Sequence, residues 1–221
     1  MKFLWRPILT LILLTAVQVQ AADTPRTINW DNLLPEMTPL DYPFETLTDE
    51  QFLDLEFLIN MRNFKDKEMI SGVDKIFENE VEIRRKLIKQ GLDVISLMEK
   101  YDRWEREIAL RHQMGNDRLD GQLVRIPGYA LPLEHKNIGV KELLLVPYVG
   151  ACIHVPPPPP NQTVYVKLND PYNVKNLYEP VWITGHLSIK NANKALSLVD
   201  GTTGVDIGYM LDGVEVVPFE D

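Results

Sequence analysis

Between residues 46 and 118, apolar positions recur at helical spacing. Phe52, Leu55, Leu58 and Ile59 share one face of a first helix. Thr48 followed by Gln51 predicts a capping box at its start. Ser71 is read as the cap of a second helix carrying Val73, Ile76, Phe77, Val81 and Leu87. Gly91 interrupts that run, and a third carries Leu97, Tyr101, Trp104 and Ile108. The charged stretch at 78–89 reads as a solvated helix face. The segment predicts a helical hairpin or long bent helix lying against another element. It contains no cofactor-binding motif.

From Leu119 the period changes. Residues 122–126, 143–146, 163–168, 181–189 and 208–217 are short, β-branched and partly alternating. Turn residues separate them: Asn137-Ile138-Gly139, Asn169-Asp170-Pro171 and Asp200-Gly201. Five such strands predict a small closed β-barrel of the oligonucleotide-binding (OB) type, with a flat sheet packed by the helices as the alternative. Pro127-Gly128 and Gly185 are the expected bends. The fold class expected is therefore α+β, an N-terminal helical hairpin packed on a C-terminal five-stranded OB-like barrel. Its boundaries are a signal peptide at 1–21, an extended lead-in at 22–45, a helical segment at 46–118 and the barrel at 119–221. In the lead-in, Trp30 is an apolar anchor that docks onto the body.

The amino terminus has the grammar of an export signal. Lys2 and Arg6 precede an apolar run at 8–17, and Val19-Gln20-Ala21 supplies small residues for cleavage after Ala21. The run is shorter than the ~20 residues of a comfortable membrane span. The cleavage point is followed by Ala22, so no lipid anchor is expected, and the compartment expected is the periplasm. The formal net charge is −9, and loss of Lys2 and Arg6 makes it two units more negative. Such a balance argues against nucleic acid and anionic membrane surfaces, which are bound through clustered Lys and Arg. The chain's single cysteine cannot form an internal disulfide.

That cysteine stands in the most informative stretch, residues 143–162, LLLVPYVGACIHVPPPPPNQ. Cys152 and His154 precede Pro156, Pro157, Pro158, Pro159 and Pro160, with Tyr148 before them and Asn161 after. If the backbone is extended, residues 152 and 154 face the same side, and thiol and imidazole lie together. Sulfur and nitrogen donors suit zinc or copper. Two ligands are too few for a tight site, so His186, Glu134 and His135 are the candidates to complete it. The other readings are a buried cysteine packing as a small hydrophobe and a thiol nucleophile with His154 as base. Against an enzyme stand the absence of a third orienting residue and of G-x-S-x-G, H-E-x-x-H, phosphate-loop or C-x-x-C motifs. Five prolines also extend about 15 Å as a stiff polyproline ridge, a docking edge for an aromatic-lined groove. Alternatively they form a rigid loop that closes the barrel. Arg125 beside Tyr129 is read as a salt-bridging residue of the barrel or a contact to an anionic ligand.

Asn29-Trp30-Asp31, the phrase VRIPGY at 124–129, the VPY and GACIHV segments with their prolines, and Pro180-Val181-Trp182 resemble one family. It is the bacterial domain-of-unknown-function family numbered 3299, and the resemblance covers essentially the whole chain after residue 21. The resemblance implies an exported protein with a small β domain and no established activity. It further implies association with membrane-transport components of metal-responsive systems. The expectation is a non-enzymatic binding or accessory protein in envelope metal or solute handling, with the Cys-x-His-polyproline region as its site. The alternatives are an adaptor gripped by its proline ridge, its partner an envelope transport or membrane protein, and a thiol-dependent enzyme.

Overall fold

The computed structural model describes residues 24–65, 74–133, 139–153, 155–198 and 201–219. Among them the chain is α+β, with three α-helices followed by most of a six-stranded sheet.

Helix α1 (Asp49–Lys65) opens on a reciprocal cap. The Thr48 N–H donates to Gln51 Oε1 at 3.0 Å and the Gln51 N–H to Thr48 Oγ1 at 3.3 Å, satisfying two of the free N–H groups of the first turn. Helix α2 (Asp74–Lys89) stops because Gly91 adopts φ 83°. The Leu92 N–H then reaches the Leu87 carbonyl and the Gly91 N–H that of Ile88, a Schellman ending that only a left-handed residue permits. Asp93 caps α3 (Val94–Gln113) by accepting from the Ser96 N–H at 3.1 Å. Ser71, the cap expected for α2, lies outside the described residues.

The helices share a core of Leu55, Leu58, Ile59, Leu87, Val94 and Met98, closed by Phe44 from the lead-in. Arg62 of α1 donates to both carboxylate oxygens of Asp102 on α3, at 3.0 and 2.7 Å. The segment is thus a three-helix unit with its own core, not a hairpin laid flat on the sheet. No helix among the described residues is long and apolar enough to cross a membrane.

The sheet comprises β1 (Arg26–Thr27), β2 (Leu123–Pro132), β3 (Val140–Val146), β4 (Val164–Tyr172), β5 (Glu179–Leu198) and β6 (Gly201–Pro218). β2 pairs with β3, β3 with β4, β4 in parallel with β6, β6 with β5, and β5 again with β2. The pairings therefore return to their starting strand. β1 adds in parallel beside the start of β2. Alternate side chains of the ring, among them Val124, Ile126, Leu143, Leu145, Val164, Val166, Ile183 and Leu211, form one core that Trp30 and Leu33 of the lead-in pack against or enter. The lead-in thus serves both cores, Trp30 and Leu33 in one and Phe44 in the other.

Several expectations need correction. β2 runs through Pro127-Gly128 rather than ending at 126, with Pro127 in register with Trp182. Glycine stands at 128 because a Cβ there would come within 3 Å of Leu145 and Trp30. β4 likewise continues through Asn169, Asp170 and Pro171, where a turn was expected. Asn137, Ile138 and Asp200 of the other expected turns lie outside the described residues. β5 and β6 extend far past 189 and begin well before 208, forming a long antiparallel hairpin. Gly185 does sit at a register shift, opposite Gly213, where a Cβ would collide with the Asp212 carbonyl oxygen. Among the described residues Arg125 forms no ion pair but lies over the Trp182 ring, 4.7 Å from its centroid.

Candidate functional site

β3 delivers the chain to the loop at 147–163. The Ile153 and Val155 N–H groups both donate to the Gly150 carbonyl, at 3.3 and 3.2 Å, folding residues 150–155 into a turn. Within it Cys152 takes φ 69°, the left-handed region that a side chain normally avoids. The extended backbone assumed at Cys152 is therefore not the backbone found, and His154 lies outside the described residues. The alternation that was to place their side chains together does not apply.

A brace holds the turn. Tyr178, at φ 61°, donates its hydroxyl to the Ala151 carbonyl at 2.5 Å. Cys152 and Tyr178 are the two non-glycine residues with positive φ among the described residues, and they occupy the same apolar cluster. That cluster also holds Leu131, Leu144, Val146 and Tyr165 and lies apart from the ring core. Cys152 is 9 % exposed, and burial pushes its thiol up to about 11. The Tyr178 hydroxyl rises to about 12, chiefly by burial and then by its closeness to Cys152. A thiol so disposed stays protonated at neutral pH and behaves as an apolar group.

His154, His135 and Glu134 lie outside the described residues. His186 is exposed on β5, opposite Asp212 of β6. It ends a cross-strand row that runs Glu142, Lys167, Asp212, His186 over the sheet, an alternation of charge suited to solvent. Among the described residues, no three His, Cys, Asp or Glu side chains converge on a point able to hold a metal ion.

The proline block divides in two. Pro156 and Pro157 are exposed, as are Val155 (45 %), Tyr148 (42 %) and Val149 (60 %) on the same loop. Pro158 is buried, and Pro159 and Pro160 are partly so. Residues Pro160–Gln162 make one 3₁₀ turn that begins on a proline, where the missing N–H costs nothing. Thr163 Oγ1 donates to the Pro158 and Pro159 carbonyls. Asn161 is 2 % exposed and donates from Nδ2 to the Arg111 carbonyl at 3.0 Å and the Met114 carbonyl at 3.1 Å, closing the end of α3. Gln162 Nε2 reaches the Trp30 carbonyl at 2.9 Å. Opposite, a Cβ at Gly208 would lie 2.7 Å from the Pro160 carbonyl oxygen. The last prolines, Asn161 and Gln162 thus lock helix, lead-in and β6 together, while Tyr148, Val149, Val155, Pro156 and Pro157 of the same loop face solvent. Sequence reasoning missed Val149 and Val155, whose signal was only that two apolar residues flank a glycine and a proline. Tyr178 carried no local signal.

The family described as a protein of unknown function, DUF3299, matches residues 30–218. The chain belongs to this family. A crystal structure of a DUF3299 family protein from Pseudomonas aeruginosa PAO1 is similar, with 27 % sequence identity over 90 % of this chain and 99 % of that one, at a TM-score of 0.47. No curated protein matches the chain. The DUF3299 match takes in both the three-helix unit and the sheet.

Proposed function

We propose that this chain is an exported, non-enzymatic accessory protein that engages an envelope partner through the ridge at residues 148–149 and 155–157. One observation carries the reading: the exposed Val155-Pro156-Pro157 segment continues directly into a buried, hydrogen-bonded anchor at Pro158 and Asn161. An apolar edge already fixed in place loses little entropy when a groove closes on it, and exposed prolyl carbonyls accept hydrogen bonds from that groove. The strand cycle, with its parallel β4–β6 pair, has the order of a small OB-type barrel; we take the sheet as one, serving as the mount. Residues 1–21 act in this reading as a cleaved signal peptide, and the compartment is the periplasm.

A role in zinc or copper handling would have to be built on His154 and His135 together with Cys152.

The test is site-specific photo-crosslinking in intact cells. A photoreactive residue at 149 or 157 is expected to yield one discrete adduct, while the same residue at exposed Asp170 yields none. Equal labelling from all three positions, or no adduct from 149 and 157, would overturn the reading.

A further inference from the structure

The β5–β6 hairpin is longer than the ring needs. Ring pairing between the two strands ends at Ile189 with Tyr209, and the register shifts before Ala192 pairs with Ile207. Beyond that shift, residues 192–198 and 201–207 ladder with each other. They lie across the outer side of β3 and β4, where Leu196, Val205 and Ile207 enter the cluster of Cys152, Tyr165 and Tyr178. Lys194 Nζ rests over the Tyr165 ring, 3.8 Å from its centroid. One backbone bond, from the Ser197 N–H to the carbonyl of Leu133 just past the end of β2, ties this strap to the ring. Gly201, Thr202, Thr203 and Gly204 are exposed. Each ring strand is laddered on both sides, whereas among the described residues the strap is laddered to the ring on neither side beyond that one bond.

We propose that the strap is a lid. Residues 192–198 and 201–207 swing together about the irregularity at 190–191, uncovering the apolar face that holds Cys152, Tyr165 and Tyr178 while the ring stays folded. The physical ground is unequal anchoring. Opening breaks the apolar packing of Leu196, Val205, Ile207 and Ala192, the Lys194–Tyr165 cation–π contact and the Ser197–Leu133 hydrogen bond, while the strap's own ladder and the ring core survive. This does not depend on the ridge being a docking site. Failure of the cross-linking experiment leaves it standing, and the reverse holds as well.

Cys152, the chain's only cysteine, reports the opening. The purified chain is alkylated with iodoacetamide at fixed pH across low urea concentrations, alongside a global unfolding curve followed by circular dichroism. The lid predicts alkylation with a much shallower urea dependence than global unfolding, since opening exposes far less surface. Leu196→Ala is expected to speed it on the order of tenfold or more, the factor each ~1.4 kcal/mol of lost strap contact carries. Ile183→Val, in the ring core, is expected to lower the unfolding midpoint without changing alkylation. Alkylation that follows global unfolding in slope and in its response to Ile183→Val would overturn the proposal. So would fast alkylation that Leu196→Ala leaves unchanged, because the turn at 150–155 would then open by itself.

Discussion

Asn161 closes the end of α3, its carboxamide nitrogen 3.0 Å from the Arg111 carbonyl oxygen, so the foot of the proline block and the C-terminus of a helix are one hydrogen-bonded unit. The same nitrogen serves the Met114 carbonyl, while Oδ1 is buried with no hydrogen-bond partner among the described residues. Asn161→Ala removes both donated bonds but also that orphaned acceptor, and is expected to cost about 2 kcal/mol. Asn161→Asp replaces the donor with a buried carboxylate facing the negative end of the helix dipole and is expected to cost more, on the order of 3 kcal/mol or above. Urea unfolding of the two variants checks the order. Equal stability of the Asp and Ala variants would deny the cap.

Tyr209 is fully buried on β6, and its hydroxyl accepts the Asn116 N–H at 2.6 Å while donating to the Leu33 carbonyl at 2.5 Å. One oxygen therefore fastens lead-in, helix exit and sheet. Tyr209→Phe keeps the ring's packing and strands both partners, so a loss of about 1–3 kcal/mol is expected in denaturant unfolding.

Alkaline pH should loosen the Cys152 cluster. The thiol's ordinary value near 9.0 is raised to about 11 in the fold, so the folded state holds its proton longer than the unfolded state. Its contribution is complete below 9.0 and is lost as pH climbs towards 11. Tyr165, Tyr172 and Tyr178, raised from 10.0 to about 12, extend the same loss to higher pH. Stability measured against pH should begin to fall near 9, and Cys152→Ala should delay the fall to about 10. An unchanged onset in that variant would contradict the buried thiol.

What the sequence disclosed was local. Thr48 and Gln51 cap α1 through groups three residues apart, and Gly91 ends α2 through its own φ, so neighbouring letters carry both signals. The ring strands announced themselves by β-branched alternation. Long-range contacts hid the rest. The left-handed turn at Cys152 is braced through the Ala151 carbonyl by Tyr178, 27 residues beyond Ala151, and nothing beside Gly150 hints at it. The strap mixes Asn, Lys, Ser, Gly and Thr with small and apolar residues, among them its buried anchors Leu196, Val205 and Ile207, and shows no sustained alternation. β1 is two residues held by β2, too short for any period. The proline block was recognisable as special, but which prolines face solvent depends on α3, Trp30 and Gly208.

That division of the block gives the most direct test. In the double variant Pro156→Ala with Pro157→Ala, unfolding in urea and envelope cross-linking from position 149 are measured on the same chain. The account predicts an unfolding free energy within about 0.5 kcal/mol of the parent, as for other exposed sites, together with loss of the cross-linked adduct. An adduct that persists in the stable double variant would contradict it, as would a fall in stability that carries the adduct away.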